Sequence, residues 1–469
     1  MDEPHGDIGE SSTWEHNLKH VFVLTSAGKP IFTRHGDEQE LVTVFGLLQA
    51  MVSIVQDSGD QIQCIKAGHR RIVYFLKNSI YFIAVSSSGE PEVVLRQLLE
   101  FMHNQILFVL TSKVHDMLAS NPSKDLRELL GNDTTRLLHA ACDSSTTSPC
   151  IVYKAVRAFA MEPDIRDQLQ EHLKAALVQA TAAFGLIFYE DSLLVYTTND
   201  RMQVYVDVTD VLLLAHFVHN SSSLRGHDQN CVPLCLPSLN AGGYVQAYIS
   251  TLKLSNSSAD AQSLSLILIS ATAADASEFK LLHEARLTLE ENIGKHGIAS
   301  RIEKSIDLQS SSSAGYLTAV RCMHYFYKFT PGEGIPAQCI WSGGEEFTPD
   351  ATGPDSINRI WCQCFRLGAC LREGASGPEC TLLQSLNSTA DSSCDGRKTQ
   401  FNALANDPAS DHALAYSVME SGSVVVGLAT SDSELYCTFP STVSALDACG
   451  LANYLTRLLR KESELLFQE

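Results

Sequence analysis

At 469 residues, 45% apolar and 19% charged, the chain has the composition of a globular protein and the length of roughly two to four domains. Its net charge of −20, from 34 Lys plus Arg against 54 Asp plus Glu, argues against a general nucleic-acid binder, because neutralising phosphates needs a cationic footprint. No uninterrupted apolar run reaches the roughly 18–20 residues of a bilayer span. The opening MDEPHGDIGESSTWEHN is acidic without an apolar core, unlike a secretory signal or transit peptide. A cytosolic setting with the fourteen cysteines reduced is therefore expected.

Charge is unevenly spread. Residues 1–18 hold five acids and no Lys or Arg, and read as an acidic disordered tail. Residues 19–142 balance twelve basic against twelve acidic residues, which suits a domain that docks without being repelled.

In chain order, HVFVLTSAGKPIFTRHG predicts a hairpin around a Ser-Ala-Gly-Lys-Pro turn. Helical spacing follows over 39–56. Three short strands, rich in β-branched and aromatic residues, follow in QIQCIKAGH, RRIVYFLKN and SIYFIAVSS. Pro91 suits the first turn of a long helix over 91–112, and a shorter helix is expected near 122–131, capped by Asn121 or Ser123. A variant of this order returns: a helix at 164–183, strands FGLIFYE and SLLVYTTN, a helix at 207–220, strands in CVPLCLP, GYVQAYISTLKL and SLSLILISA, and a helix at 275–293. The last third predicts a strand at 319–329, a helix at 358–372, strands at 413–420, 423–430 and 434–439, and a helix at 443–467.

DSSTTSPC at 143–150 and the Ser-rich DLQSSSSAG at 307–315 read as connectors. They divide the chain into domains at 19–142, 151–306 and 315–469, and residues 374–411 read as a mobile insertion in the last. The fold class is α+β, with three weakly similar units, each an antiparallel sheet of about five strands flanked by helices.

The sequence has no P-loop, no Gly-x-Gly-x-x-Gly after a strand, no Gly-x-Ser-x-Gly and no His-Glu-x-x-His. Cys231 and Cys235, with His219 and His227 upstream, come nearest to zinc spacing, but buried cysteine explains them better, and no metal or cofactor is expected. His69, Arg70 and Arg71 form a short basic cluster at a strand turn.

The helix at 39–56 is the most informative element. Leu41, Val44, Phe45, Leu48, Val52 and Val55 share one face and would pack on the sheet. The other side carries Thr43, Leu47, Ala50, Met51 and Ile54, where a surface helix should be polar. A second surface is therefore expected to cover it, supplied by this chain or by a partner, and the domain reads as a docking module.

KHVFVLTSAGKPIFTRHGDE at 19–38, SSSLRGHDQNCVPLCLPSLNAGGYVQAYIS at 221–250 and MHYFYKF at 323–329 resemble segments of the Mon-one (SAND) family of endosomal and vacuolar fusion proteins. The resemblance runs from about residue 19 to the end. It implies three longin-like domains and pairing with a Ccz-one-like longin partner. Together these would form a guanine-nucleotide exchange factor for a Rab-seven-class GTPase, a regulatory activity without covalent catalysis. It also implies action in endosome maturation and autophagosome fusion, with peripheral recruitment to endosome and lysosome membranes by a Rab-five-class GTPase and anionic phosphoinositide. On this reading Thr43, Leu47, Ala50 and Ile54 meet the partner or the Rab, and His69, Arg70, Arg71, Arg321 and Lys328 are lipid-contact candidates. The alternative is a longin trafficking scaffold or tether without exchange activity.

Overall fold

A computed structural model describes residues 17–36, 38–122, 124–202, 204–221, 224, 229–254, 263–270, 276–332, 334–342, 354–373, 381–382, 413–419 and 422–469. The acidic tail through residue 16, Ser123, His227 and the 374–411 insertion (apart from strand Thr381–Leu382) lie outside the described residues. The chain divides into two units, 1–143 and 144–469.

In the first unit, β1 (Lys19–Thr25), β2 (Pro30–Thr33), β3 (Cys64–Ala67), β4 (Arg70–Lys77) and β5 (Ile80–Ser86) form an antiparallel sheet of order β2-β1-β5-β4-β3. Alternation along the strands sends Phe22, Leu24, Tyr74 and Ile83 to one face, where they pack with Leu41, Phe45, Leu48 and Val52 of α1 (Glu38–Asp57). Full burial of each such side chain contributes roughly 1.5–3 kcal/mol. Phe75 and Phe82 point to the opposite face and meet His103 of α2 (Glu92–Leu110). By length and composition α2 is apolar enough to cross a membrane, which the run-length reading of the sequence passed over, but its buried Leu95, Leu98, Leu99, Met102 and Ile106 make it a core helix of this unit.

The helix expected at 122–131 is replaced by α3 (Lys113–Ser120) and α4 (Arg127–Thr147). Asn121, extended before Pro122, ends α3, because a residue preceding proline is pushed out of the helical region. α4 bends at Gly131 (φ 68°) and then runs through the stretch read as a connector. Buried Ala141, Cys142 and Ser145 explain this, since packing overrides the weak helix propensity of Asp, Ser and Thr.

In the second unit, a short helix α5 (Cys150–Tyr153) and strand β6 (Val156–Arg157) lead into α6 (Pro163–Ala180). Next come β7 (Phe184–Tyr189), β8 (Ser192–Thr198), α7 (Val208–Asn220), β9 (Gln229–Leu234), α8 (Pro237–Asn240), β10 (Val245–Lys253) and β11 (Ser263–Ser270). The sheet order is β8-β7-β11-β10-β9, the same path as in the first unit. α6 and α9 (Ala276–Lys295) cover one face through Leu169, Leu173, Leu177, Leu282, Ala285 and Leu289.

The Ser-rich 307–315 connector is also helical, inside α10 (Ile298–Val320). The strand expected from 319 therefore begins later, as β12 (His324–Phe329). With β13 (Gln338–Trp341), α11 (Pro354–Glu373), β14 (Thr381–Leu382), β15 (Ala413–Val418), β16 (Val424–Ala429) and β17 (Ser433–Phe439), it builds the sheet β14-β15-β16-β17-β12-β13-β6. Its centre, β13-β12-β17-β16-β15, repeats the same order a third time. The helix expected at 443–467 is broken into α12 (Ala445–Lys461) and α13 (Ser463–Leu466).

Strand β6 departs from the expected division at 151, because it pairs in parallel with β13 of the third sheet. Ala158 bridges to Leu193, and Phe159 N–H donates to Leu193 O at 3.0 Å, so the same segment also covers the β8 edge of the second sheet. The two sheets thereby share one connecting strand.

Candidate docking surface

The four residues expected on the outer face of the first helix are brought together by α1. Thr43, Leu47, Ala50 and Ile54 recur at i, i+4, i+7 and i+11, and all are exposed, Leu47 at 56% and Ile54 at 67%. Val42, 63% exposed, and Gly46 border them, two residues that the periodicity argument did not single out. Among the described residues a Cβ added at Gly46 would meet nothing within 4 Å, so no contact described within the first unit calls for a glycine there.

The repeated topology supplies an internal comparison. α7 and α11 occupy the place of α1, between the hairpin and the remaining strands of their sheets. α7 is buried from Asp210 to Leu214 without a break and touches β6 and α8. α11 is buried from Ile360 to Phe365, and Phe365 meets the Tyr153 ring of α5 at 5.8 Å. Both are apolar because both are covered on more than one side. α1 is similarly apolar and leaves one face bare.

The basic candidates are divided between the two units, and within each unit they do not all point one way. His69 and Arg70 are exposed at the β3–β4 turn. The Arg71 guanidinium turns back to donate to the Glu90 carbonyl, beside the buried Lys19–Glu90 ion pair at 2.9 Å. Burial pushes the Glu90 carboxyl up, but the Lys19 ammonium and the Ser86 and Ser88 hydroxyls outweigh it and hold the group ionised. Arg321 closes α10 in the left-handed region, before β12 begins at His324, whereas Lys328 lies near the far end of that strand. Lys328 also faces Glu434 across the ladder.

The Cys-Leu-Pro, Asn-x-x-Gly segment forms a knuckle between β9 and β10. Asp210 of α7 accepts from Ser238 N–H at 3.2 Å and Leu239 N–H at 3.0 Å, which caps α8. Burial raises its carboxyl to about 6 in spite of those donors. Cys235 is buried with its thiol 3.4 Å from Asn240 O, while Cys231 is exposed and 3.7 Å from the Gln246 amide oxygen. The two thiols therefore have separate partners. Among the described residues no three His, Cys, Asp or Glu side chains are grouped to hold a metal.

Residues 19–139 match the family described as the first longin domain of FUZ, MON1 and HPS1, and residues 180–287 match its second longin domain. The chain is 29% identical over 308 residues to a vacuolar fusion protein MON1 homolog of Arabidopsis thaliana, covering 64% of this chain and 47% of that protein. It is 31% identical over 290 residues to vacuolar fusion protein MON1 of Yarrowia lipolytica, covering 61% and 51%. It is 27% identical over 322 residues to Protein SAND of Takifugu rubripes, covering 68% and 58%. The chain thus spans about half the length of the curated relatives it matches. The two longin matches lie on the first two of three sheets of one topology, so the chain carries two longin domains of the kind found in FUZ, MON1 and HPS1 and resembles the MON1 and SAND proteins.

Proposed function

We propose that this chain is one subunit of a two-chain guanine-nucleotide exchange factor, acting with a Ccz-one-like longin partner on a Rab-seven-class GTPase in endosome maturation and vacuolar or lysosomal fusion. The bare apolar face of α1 carries the reading, because its two topological counterparts are covered and it is not. The names of the relatives, vacuolar fusion proteins, support the setting. A Rab-five-class GTPase and an anionic phosphoinositide membrane are the proposed recruiters, with exposed His69 and Arg70 available to the latter.

Exchange requires no bond to be made or broken by this chain. A surface that binds the nucleotide-free GTPase better than the loaded form shifts the equilibrium toward nucleotide loss by that difference in affinity. A rigid helix on a packed sheet is suited to this, because it holds a displaced switch loop without deforming. Weakened magnesium and phosphate contacts in the GTPase then speed release.

The test is mant-GDP release from a panel of purified Rabs, with this chain alone, with its longin partner, and with the double variant Leu47→Asp, Ile54→Asp. Faster release from a Rab-seven-class GTPase only when both chains are present, lost in the folded double variant, is the expected result. Co-purification of the chains with no Rab responding would make the protein a longin scaffold instead.

A further inference from the structure

The segment that opens the second unit folds back on the third sheet and brings two thiols together. Pro149 precedes α5, and Lys154 closes it in the left-handed region (φ 49°). Val156 N–H then donates to Ala337 O at 2.8 Å and Ala158 N–H to Cys339 O at 2.9 Å. This tight return leaves Cys150 Sγ 3.9 Å from Cys339 Sγ, although the residues are 189 apart in the chain. Cys150 is half-buried and Cys339 is fully buried, with its thiol 3.6 Å from Ala155 O.

The two thiols are unlike. The neighbouring Cys339 thiol holds Cys150 below the ordinary range against the effect of burial, and Ser148 and the Arg157 charge add to it. Burial pushes Cys339 well up. Burial also raises Cys142 and Cys235 to about 11 and Cys449 to about 12, which makes those thiols poor nucleophiles. A half-buried thiol inclined to ionise beside a buried neutral one is the arrangement of an attacking and a resolving cysteine.

We propose that Cys150 and Cys339 are a reversible redox pair that closes to a disulfide when the protein meets a peroxide-class oxidant. The Cys150 thiolate attacks one peroxide oxygen, the O–O bond breaks, and the departing hydroxide takes a proton to leave as water. Cys150 is then a sulfenic acid. Cys339 attacks Cys150 Sγ, the S–O bond breaks, and the Cys339 proton leaves with that oxygen as a second water. The two thiols together lose two electrons, and the peroxide gains them. A dithiol reductant reverses the step by exchange. Closure to bonding distance needs the sulfurs to approach by about 2 Å, within reach of a rotamer change in a one-turn helix. The bond would pin α5 and β6 to β13 at the point where the chain enters its second unit.

The test uses the full chain, reduced, freed of reductant and treated with hydrogen peroxide. Remaining thiols are blocked with N-ethylmaleimide and peptides are mapped without reduction. A linked peptide joining Cys150 to Cys339, a mass lower by two hydrogens and a raised unfolding midpoint are expected, all reversed by dithiothreitol. Cys339→Ser should leave a Cys150 sulfenic acid that dimedone traps, and Cys150→Ser should leave none at either site. Oxidation of exposed Cys231 without a linked peptide from the folded wild-type chain, or a linked peptide only in urea, would overturn the proposal.

Discussion

The side-chain amide of Gln468 binds Tyr196 as a neighbouring strand would. Its Nε2 donates to Tyr196 O at 2.6 Å, and Tyr196 N–H donates to its Oε1 at 2.8 Å. The backbone of the same residue pairs with the Gln338 side chain, at 3.0 Å and 2.8 Å. One buried glutamine thus ties β8 of the second sheet to β13 of the third. Gln468→Ala leaves the Tyr196 N–H and carbonyl buried without these partners, and a loss of about 1–3 kcal/mol per unsatisfied group is expected. Denaturant unfolding measures the loss, and hydrogen exchange should rise at the Tyr196 amide before the rest of its sheet. No change in that amide would mean that another group replaces Gln468.

Arg166 performs the matching task at the end of α13. Its guanidinium donates to Phe467 O at 2.6 Å and to Leu465 O and Phe159 O at 3.0 Å, and also to Glu464 O. These include carbonyls that a helix end leaves without partners. Burial pulls the group down to about 10, so it stays charged at neutral pH. A lysine carries the charge but not the fork, and cannot reach all four acceptors. Arg166→Lys should therefore cost about 2–4 kcal/mol, near the cost of Arg166→Leu. Thermal unfolding of both variants checks this. A near-neutral Arg166→Lys would show that charge rather than geometry closes the helix.

The first unit should weaken in mild acid. Burial holds His20 neutral down to about 4, with His35 and Arg34 adding to the effect. Burial does the same for His103, helped by the charges of His115 and Lys77, and His103 Nε2 lies 3.3 Å from His115 Nε2. The unfolded chain binds protons at these sites near pH 6.5, whereas the folded chain refuses them until about 4. Unfolding thus takes up protons, and stability falls as pH drops from 6.5 toward 4. His103→Phe removes one titrating group from a pocket that already holds Phe75 and Phe82, and should flatten the decline. Hydrogen exchange of α2 at pH 7 and pH 5 reads it, and an unchanged slope would locate the acid sensitivity elsewhere.

What the sequence made legible was local. The hairpin, the following helix and the three strands of the first sheet came from period-2 and period-3.6 patterning, and α1 runs 38–57 where spacing predicts 39–56. The face of α1 was readable because its exposed residues are apolar on their own terms. The missed elements depend on distant partners. β6 has two residues, too few for a pattern, and exists because β13 accepts it. The Arg166 clasp joins residues about 300 positions apart, and neither end announces it. The connector expected at 143–150 is helical because buried Ala141, Cys142 and Ser145 hold it, against the propensity of its serines and threonines, and the one expected at 307–315 is helical as the middle of α10, whose Ile302 and Val320 are buried on either side.

Gly46 offers a test in which stability and binding should move in opposite directions. A glycine in a helix interior costs about 0.5–1 kcal/mol relative to alanine, and the open space beside Gly46 removes any packing reason for it among the described residues of its unit. With Thr43 and Ala50 one turn to either side, it leaves a shallow track along α1 between Val42, Leu47 and Ile54. Such a track lets a partner's backbone approach closely. Gly46→Ala should therefore raise the unfolding free energy of the isolated chain by about 0.5–1 kcal/mol. The added methyl group should also weaken binding of the proposed longin partner or the proposed Rab by about tenfold, the low end of overpacking costs of 1–3 kcal/mol. Calorimetric unfolding of the variant and titration against each partner measure the two effects. A gain in both would mean that nothing packs tightly on this face, and the docking role would pass to another surface of the chain.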